Sequence, residues 1–424
     1  MSTSISTGTI TGTGIGPKWI AGFKADYDKL FVRQWSSYMG AVLLVLVILG
    51  LMVNGMVWGV FGGVKFWGDW FNNLIGLGPL LGVPHELESF WLHRMSLMNI
   101  TLVLGAFCAA LLSGQFGPSR PPKLEYLWAA LGGSLMGVGA ALAGGCTTGG
   151  FFNPVLHASP AGWAMWLGLL AGAAIGFKLL LWTLENIAWG MQAPATLTVP
   201  DSVKRAYPLL GLAVAAGALA WATLWLYSGV KSLALRALIV LAGFAIGFIM
   251  HRSRLCFARA FREPFVTGEG EMSKAVMLAL AIGVPLAALL FEKKIIDPYL
   301  AIPATFWIGS TLGGLLFGIG MVFAGGCASG SLWRMGEGHL KLWLAMFFFA
   351  WIGSSASALF KKFNLTAIDE SNVDLFERTT VGFQAYLPEM LGGWGSTLAL
   401  SAALLLLWYL LVRYNESTEK FTLM

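Results

Sequence analysis

Apolar runs of about twenty residues recur along the chain, separated by short polar or aromatic connectors. A helix of that length covers the ~30 Å hydrocarbon core of a bilayer, and the pattern predicts ten such spans. They fall at 38–60, 96–113, 126–143, 162–184, 206–227, 233–250, 273–291, 303–324, 340–360 and 391–413. The stretch 61–95, with Trp67, Trp70, Phe71, Pro79 and Pro84, reads as an interfacial connector, because Trp favours headgroup level. The expected fold is all-α, a polytopic membrane protein.

One stretch occurs twice. Residues 131–149 read LGGSLMGVGAALAGGCTTG and residues 312–330 read LGGLLFGIGMVFAGGCASG; the copies lie 181 positions apart and share 11 of 19 residues. A period that long marks two halves of one molecule rather than a solenoid. Each copy is an apolar helix that stops at a Gly-Gly pair and presents a cysteine. The segments after the two cysteines, 147–162 and 328–339, are too short to cross a bilayer and apolar enough to dip back into it, so both read as re-entrant half-helices. A third short segment, HRSRLCFARAFREP at 251–264, carries Cys256; its expected first-half match is HRMSLMNI at 93–100, which has no cysteine. Broken helices at corresponding positions of two halves point to a transport site. The chain then divides into a polar arm (1–37), first span and connector (38–95), first repeat half (96–184), connecting spans (185–250), second repeat half (251–360), and outer loop, last span and short tail (361–424).

Composition sharpens this. Of the 424 residues, 57% are hydrophobic and 11% charged, against roughly 25% charged in a soluble domain. The 54 glycines, with Gly168/Gly172/Gly176, Gly243/Gly247 and Gly309/Gly313 at helical spacing, suit close packing in lipid. A net charge of +6 would point to nucleic acid in a soluble protein. Here it accords with the positive-inside rule, and no nucleic-acid partner is drawn from it. With the N-terminus inside and ten spans alternating, the inner segments hold 17 Lys and Arg and the outer segments 9. Both termini are therefore expected in the cytoplasm, and the two repeat copies cross the membrane in opposite directions. No signal-peptide pattern opens the chain, so the mature protein is expected to begin near Met1.

The candidate chemistry is sulfur chemistry. Cys108, Cys146, Cys256 and Cys327 lie in or beside apolar segments, without the spacing of a zinc site or a disulfide framework. No metal or cofactor is expected. Gly144/Gly145 and Gly325/Gly326 leave backbone N–H groups uncovered where a half-helix begins, an arrangement that attracts anions. Thr147, Thr148 and Ser329 add hydroxyl donors, and each cysteine adds a weak S–H donor with a polarizable sulfur. The bland alternative is that the glycines let two half-helices touch and the cysteines merely pack. Arg252, Arg254, Arg259 and Arg262 surround Cys256 as either a positive-inside anchor or an anion funnel that favours the thiolate. Arg334 is the matching charge after Cys327, while His157 and His339 read as loop histidines. The spans nearly lack Asp and Glu, which argues against a carboxylate proton relay; Glu185 is the nearest exception.

AGGCTTG, AGGCASG and RSRLCFARAFREPF together resemble the YeeE/YedE family of sulfur-transport membrane proteins over roughly residues 90–360. The resemblance implies thiosulfate uptake across the bacterial inner membrane through an hourglass of spans and re-entrant helices. Cys146, Cys256 and Cys327 match motif cysteines that pass the anion along by hydrogen bonds to its terminal sulfur, and Cys108 matches less well. The missing first-half R-x-C-F and the long N-terminal region are similar to the YedE branch, which is linked to selenium metabolism. Within this frame the substrate-binding set is Cys146, Cys256, Cys327, Gly144, Gly145, Gly325, Gly326, Arg254 and Cys108. Membrane lipid and a cytoplasmic TusA-like sulfur carrier are the implied partners. The competing readings are transport of a selenium compound, a membrane sulfurtransferase that forms a persulfide on Cys256, and a membrane anchor for a sulfur-handling complex.

Overall fold

A computed structural model describes residues 18–186, 195–196, 199–366 and 378–423. Residues 1–17 of the polar arm, 187–194 and 197–198 of the connecting region and 367–377 of the outer loop lie outside the described residues.

Among the described residues nine helices are long and apolar enough to cross a bilayer. The tenth expected span is the 17-residue helix Ser37–Val53, which forms a pair with Lys24–Val32 bent by 76°. Strand is confined to two-residue pairings among the described residues. The molecule is an all-α, multi-pass membrane protein.

Four helices make its centre: α1 (Lys123–Ala143), α2 (Pro160–Asn186), α3 (Ile308–Ala324) and α4 (Leu340–Lys362). The end that holds the C-terminus of α1 and the N-terminus of α3 is termed upper, the other lower. α1 and α3 carry the repeated motif and run antiparallel. A Cβ on Gly139 would stand 2.6 Å from the carbonyl oxygen of Gly313, and one on Gly313 2.6 Å from that of Gly139. Gly132 and Gly320 face each other in the same reciprocal way. Non-bonded heavy atoms need about 3.5 Å, so only glycine fits. The flanking contacts obey the same offset: Gly137 abuts Gly353 of α4, and Gly318 abuts Gly172 of α2. Each of these two contacts is the other displaced by 181 positions. Lipid offers no hydrophobic drive between helices, so backbones brought together by small residues supply the adhesion.

The outer helices repeat the arrangement. Ser37–Val53 packs on Glu271–Glu292 as Lys231–Ser253 packs on Arg94–Leu112. Val60–Leu74 packs on Arg94–Leu112 and α4, as Phe257–Val266 packs on Glu271–Glu292 and α2. The counterpart of the Cys256 segment is therefore Val60–Leu74, not 93–100. The match to 93–100 fails because the long connector 75–93 displaces the register of the first half, where the second half has only 267–270. The stretch expected to be an interfacial connector is thus partly a packed helix. Its Asp69 accepts from Ser354 Oγ of α4 at 2.5 Å and from Lys65 at 2.9 Å, and Asn72 donates to Ser354 at 2.9 Å.

Candidate functional site: three cysteines at half-helix starts

Both repeat helices stop the same way. Gly144 ends α1 at φ 72° and Gly325 ends α3 at φ 85°, a left-handed conformation in which a Cβ is strained. Two residues on, Cys146 (φ −82°, ψ −168°) and Cys327 (φ −76°, ψ 175°) are extended and cap the next short helix. The upper half-helix is a π-helical turn, Thr147–Phe152, continued by Asn153–Leu156, and the lower one is Ala328–Glu337. Cys256 holds the same station: extended, it caps Phe257–Val266. Each of these three thiols therefore sits where a helix leaves N–H groups unpaired and carries partial positive charge.

Their surroundings differ. Cys146 Sγ lies 3.1 Å from Thr148 Oγ1, and Cys327 Sγ lies 3.6 Å from Ser329 Oγ, with hydroxyl donors at the same relative position. Cys327 Sγ also accepts from Gly330 N at 3.3 Å. The Cys256 and Cys327 thiols converge on Gly330. A Cβ on Gly330 would stand 2.6 Å from one sulfur and 3.2 Å from the other. The half-helix that Cys146 caps meets the helix that Cys256 caps through aromatic pairs, Phe152 with Phe257 at 5.4 Å and Phe151 with Phe261 at 5.3 Å. All three thiols have no exposed surface. Cys108 stands apart: its thiol donates to Gly211 O at 3.2 Å on the helix Asp201–Leu226.

Above Cys146 opens a cleft of about 270 Å³, lined by Trp58, Gly59, Gly144, Gly145, Gly149 and Asn153 among others. Asn153 donates to the carbonyl of Trp58, tying the upper half-helix to the turn before Val60–Leu74. Trp333 Nε1 donates to Leu255 O at 3.1 Å and ties the lower half-helix to the turn before Phe257–Val266. By this correspondence the position equivalent to Cys256 is Gly59, the cap of Val60–Leu74. One half presents a thiol there and the other an open cleft.

The arginines beside Cys256 are mostly engaged. Arg254, in the left-handed region at φ 53°, donates twice to Glu337 at 2.7 and 2.9 Å and once to Gln115 at 2.7 Å. Arg252 is buried and donates to Arg33 O, Arg259 pairs with Glu263, and Arg334 donates to Gly325 O at 2.9 Å. Trp333 lies between two guanidinium groups, those of Arg254 at 5.4 Å and Arg334 at 5.2 Å. His157 is buried against Asn153 O at 2.9 Å, and His339 meets Ser119 at 2.9 Å and Glu337 at 3.3 Å.

Sequence reasoning passed over Gly330, Trp58, Asn153 and Glu337. Gly330 carried a signal, since it closes the second repeat copy opposite Gly149. The other three carried none: their roles come from contacts at long sequence separation.

Comparison with known proteins gives the family. The sulphur-transport family matches residues 17–175 and 252–423, the stretches that contain both half-helices and Cys256. The chain belongs to the sulphur-transport family. It is similar to the probable transporter YedE of Escherichia coli (strain K12), 28% identical over 341 residues, covering 76% of this chain and 80% of the relative. The probable transporter YedE of Salmonella typhimurium is 30% identical over 340 residues with the same coverage. A shorter match joins the chain to the thiosulfate transporter TsuA of Escherichia coli (strain K12), 35% identical over 109 residues, 26% of this chain and 30% of the relative. In this sulphur-transport protein, then, the repeated glycines build the scaffold and the capping cysteines stand inside it.

Proposed function

We propose that the chain carries thiosulfate, or a related small anion with a terminal sulfur, from the upper face into the cytoplasm by way of Cys146 and then the Cys256–Cys327 pair. The observation that carries this reading is that three buried thiols each cap a half-helix and two of them converge on Gly330. A terminal sulfur is a soft acceptor that a neutral S–H can meet, and the helix starts offset the anion's charge without a fixed cation. Backbone donors at Gly144/Gly145 and Gly325/Gly326 would flank the thiols. The Lys and Arg bias supports a cytoplasmic lower end, and the bacterial inner membrane is the location that goes with this reading.

In this reading the aromatic pairs between the half-helices that Cys146 and Cys256 cap form the closed barrier, and movement of one half-helix against the other passes the anion across it. Arg254, paired with Glu337, holds the turn that aims Cys256, and attraction of the anion belongs to the arginine cluster as a whole. Cys108 faces another helix and takes a packing role. A selenium anion of similar shape would use the same path, and a TusA-like carrier would receive sulfur at the lower end. The sulfurtransferase alternative meets a difficulty in the convergence of the two thiols. A persulfide formed on Cys256 as sulfite leaves would lie against the Cys327 thiol, which would displace hydrosulfide and leave a disulfide; each turnover then needs a two-electron reductant.

The test is uptake of radiolabelled thiosulfate in a strain without other sulfate and thiosulfate importers. Wild type is expected to import, while Cys146→Ala, Cys256→Ala and Cys327→Ala at matched membrane levels fall by at least about tenfold. Wild-type-like uptake by the three variants would end the relay, and import of selenite or selenate alone would reassign the substrate.

A further inference from the structure

Of the four arginines on the segment 252–262, three have acceptors: Arg252 on Arg33 O, Arg254 on Glu337 and Gln115, and Arg259 on Glu263. Arg262 has none. No hydrogen bond or ion pair reaches its guanidinium among the described residues, and its Nε is buried without a partner. The residue is half-buried, so its terminal nitrogens remain open to a ligand; a buried Nε without a partner is costly, and arginine is built to meet oxyanions in a bidentate fork. The titratable groups around it are Cys256, Arg334, Arg259 and Glu263. Glu263, the only carboxylate of these, is held by Arg259. Arg334 spends one nitrogen on Gly325 O at 2.9 Å, with no carboxylate paired to it among the described residues.

We infer that Arg262, with Arg334 beside it, forms an oxyanion subsite under the Cys256–Cys327 pair, which grips the oxygen end of the anion while its terminal sulfur meets the two thiols. The inference rests on the proposed function for the sulfur end and adds the class of group recognised at the other: a tetrahedral –SO₃⁻ or similar oxyanion. A site with a soft end and a hard end separates thiosulfate from sulfide, which lacks oxygens, and from sulfate, which lacks the sulfur. It also separates Arg262 from Arg254, whose charge Glu337 already satisfies.

The test uses the full-length protein in liposomes and binding of ³⁵S-thiosulfate. Arg262→Gln is expected to raise Kd by about 10- to 150-fold, the range for losing a charge-assisted hydrogen bond. Arg262→Lys should recover part of the loss, and Arg205→Gln, an exposed arginine outside the cluster, should stay within about twofold. Sulfate, which meets only the oxyanion end, should compete with thiosulfate weakly and only in large excess in wild type and in Cys327→Ser, and should lose that competition in Arg262→Gln. Unchanged Kd in Arg262→Gln, or equal loss in Arg205→Gln, overturns the subsite. If wild type binds no thiosulfate, the proposed function fails. The subsite is then judged by whether sulfate slows phenylglyoxal modification of Arg262, read by mass spectrometry: protection upholds it and no protection overturns it.

Discussion

Replacing Gly330 by alanine isolates the thiol pair. Gly330 is the third residue of the helix Ala328–Glu337, where alanine should favour the helix by about 0.5–1 kcal/mol. Against that, the new methyl would lie 2.6 Å from Cys256 Sγ, 3.2 Å from Cys327 Sγ and 3.7 Å from Cys256 Cβ. Comfortable contact between heavy atoms is about 3.5–4.0 Å, so the Cys256 sulfur must retreat by about 1 Å and the Cys327 sulfur by about half that. Overpacking of this size costs about 1–3 kcal/mol. Net stability should therefore drop by no more than about 2.5 kcal/mol, the upper overpacking cost less the smaller helix gain, while the two sulfurs are driven apart. The expected result is a folded protein with thiosulfate uptake reduced at least about tenfold. It should also form the Cys256–Cys327 disulfide far more slowly than wild type under a mild oxidant, monitored by mass spectrometry of peptides. Uptake and disulfide formation both at wild-type levels would refute the placement of the two sulfurs around Gly330.

Other contacts carry further expectations. Gly139→Val should cost enough packing between α1 and α3 to abolish membrane accumulation, while Gly50→Ala, inside the helix Ser37–Val53 and with an added methyl that meets nothing within 4 Å, should raise thermal stability slightly, by about 0.5–1 kcal/mol. Arg254→Gln should destabilise by about 1–3 kcal/mol, because Glu337 loses its guanidinium and keeps only His339 and His251 beside it. Arg254→Gln with Glu337→Gln should recover most of that, and a double-mutant cycle in detergent measures the difference. Asn153→Leu, which strands the Trp58 carbonyl, should lower stability by about 1–3 kcal/mol and slow uptake, seen in a Tm and rate comparison. His93 stacks on Phe66 and accepts from Ser96 N at 3.2 Å, and burial holds its imidazole below the usual range. Because the depressed group is neutral when folded, its contribution is complete above pH ~6.5 and is lost as pH falls through the folded value. A Tm series from about pH 7.5 to 5, spanning that window, should show this loss, and His93→Asn should flatten it.

The sequence determined the membrane class, nearly all the spans and the three capping cysteines. Those depend on local physics: twenty or so apolar residues make a helix in lipid, and a glycine in the left-handed region ends one. The repeat added that α1 and α3 are related, because 11 shared residues at one offset cannot be read otherwise. Only tertiary structure decided which groups meet. Cys256 and Cys327, far apart in the chain, come together because Phe257–Val266 and Ala328–Glu337 begin at one point around Gly330. Cys108 looks equivalent in the sequence but faces Gly211 on another helix. The counterpart of Cys256 was misplaced for the same reason: register within a half depends on loop length, which the packing ignores. The arginines show the limit most plainly. Four similar charges near one cysteine cannot be ranked from spacing, because whether a cation is free is settled by carboxylates and carbonyls brought from elsewhere in the chain. Glu337 takes Arg254, Arg33 takes Arg252, Glu263 takes Arg259, and Arg262 is left.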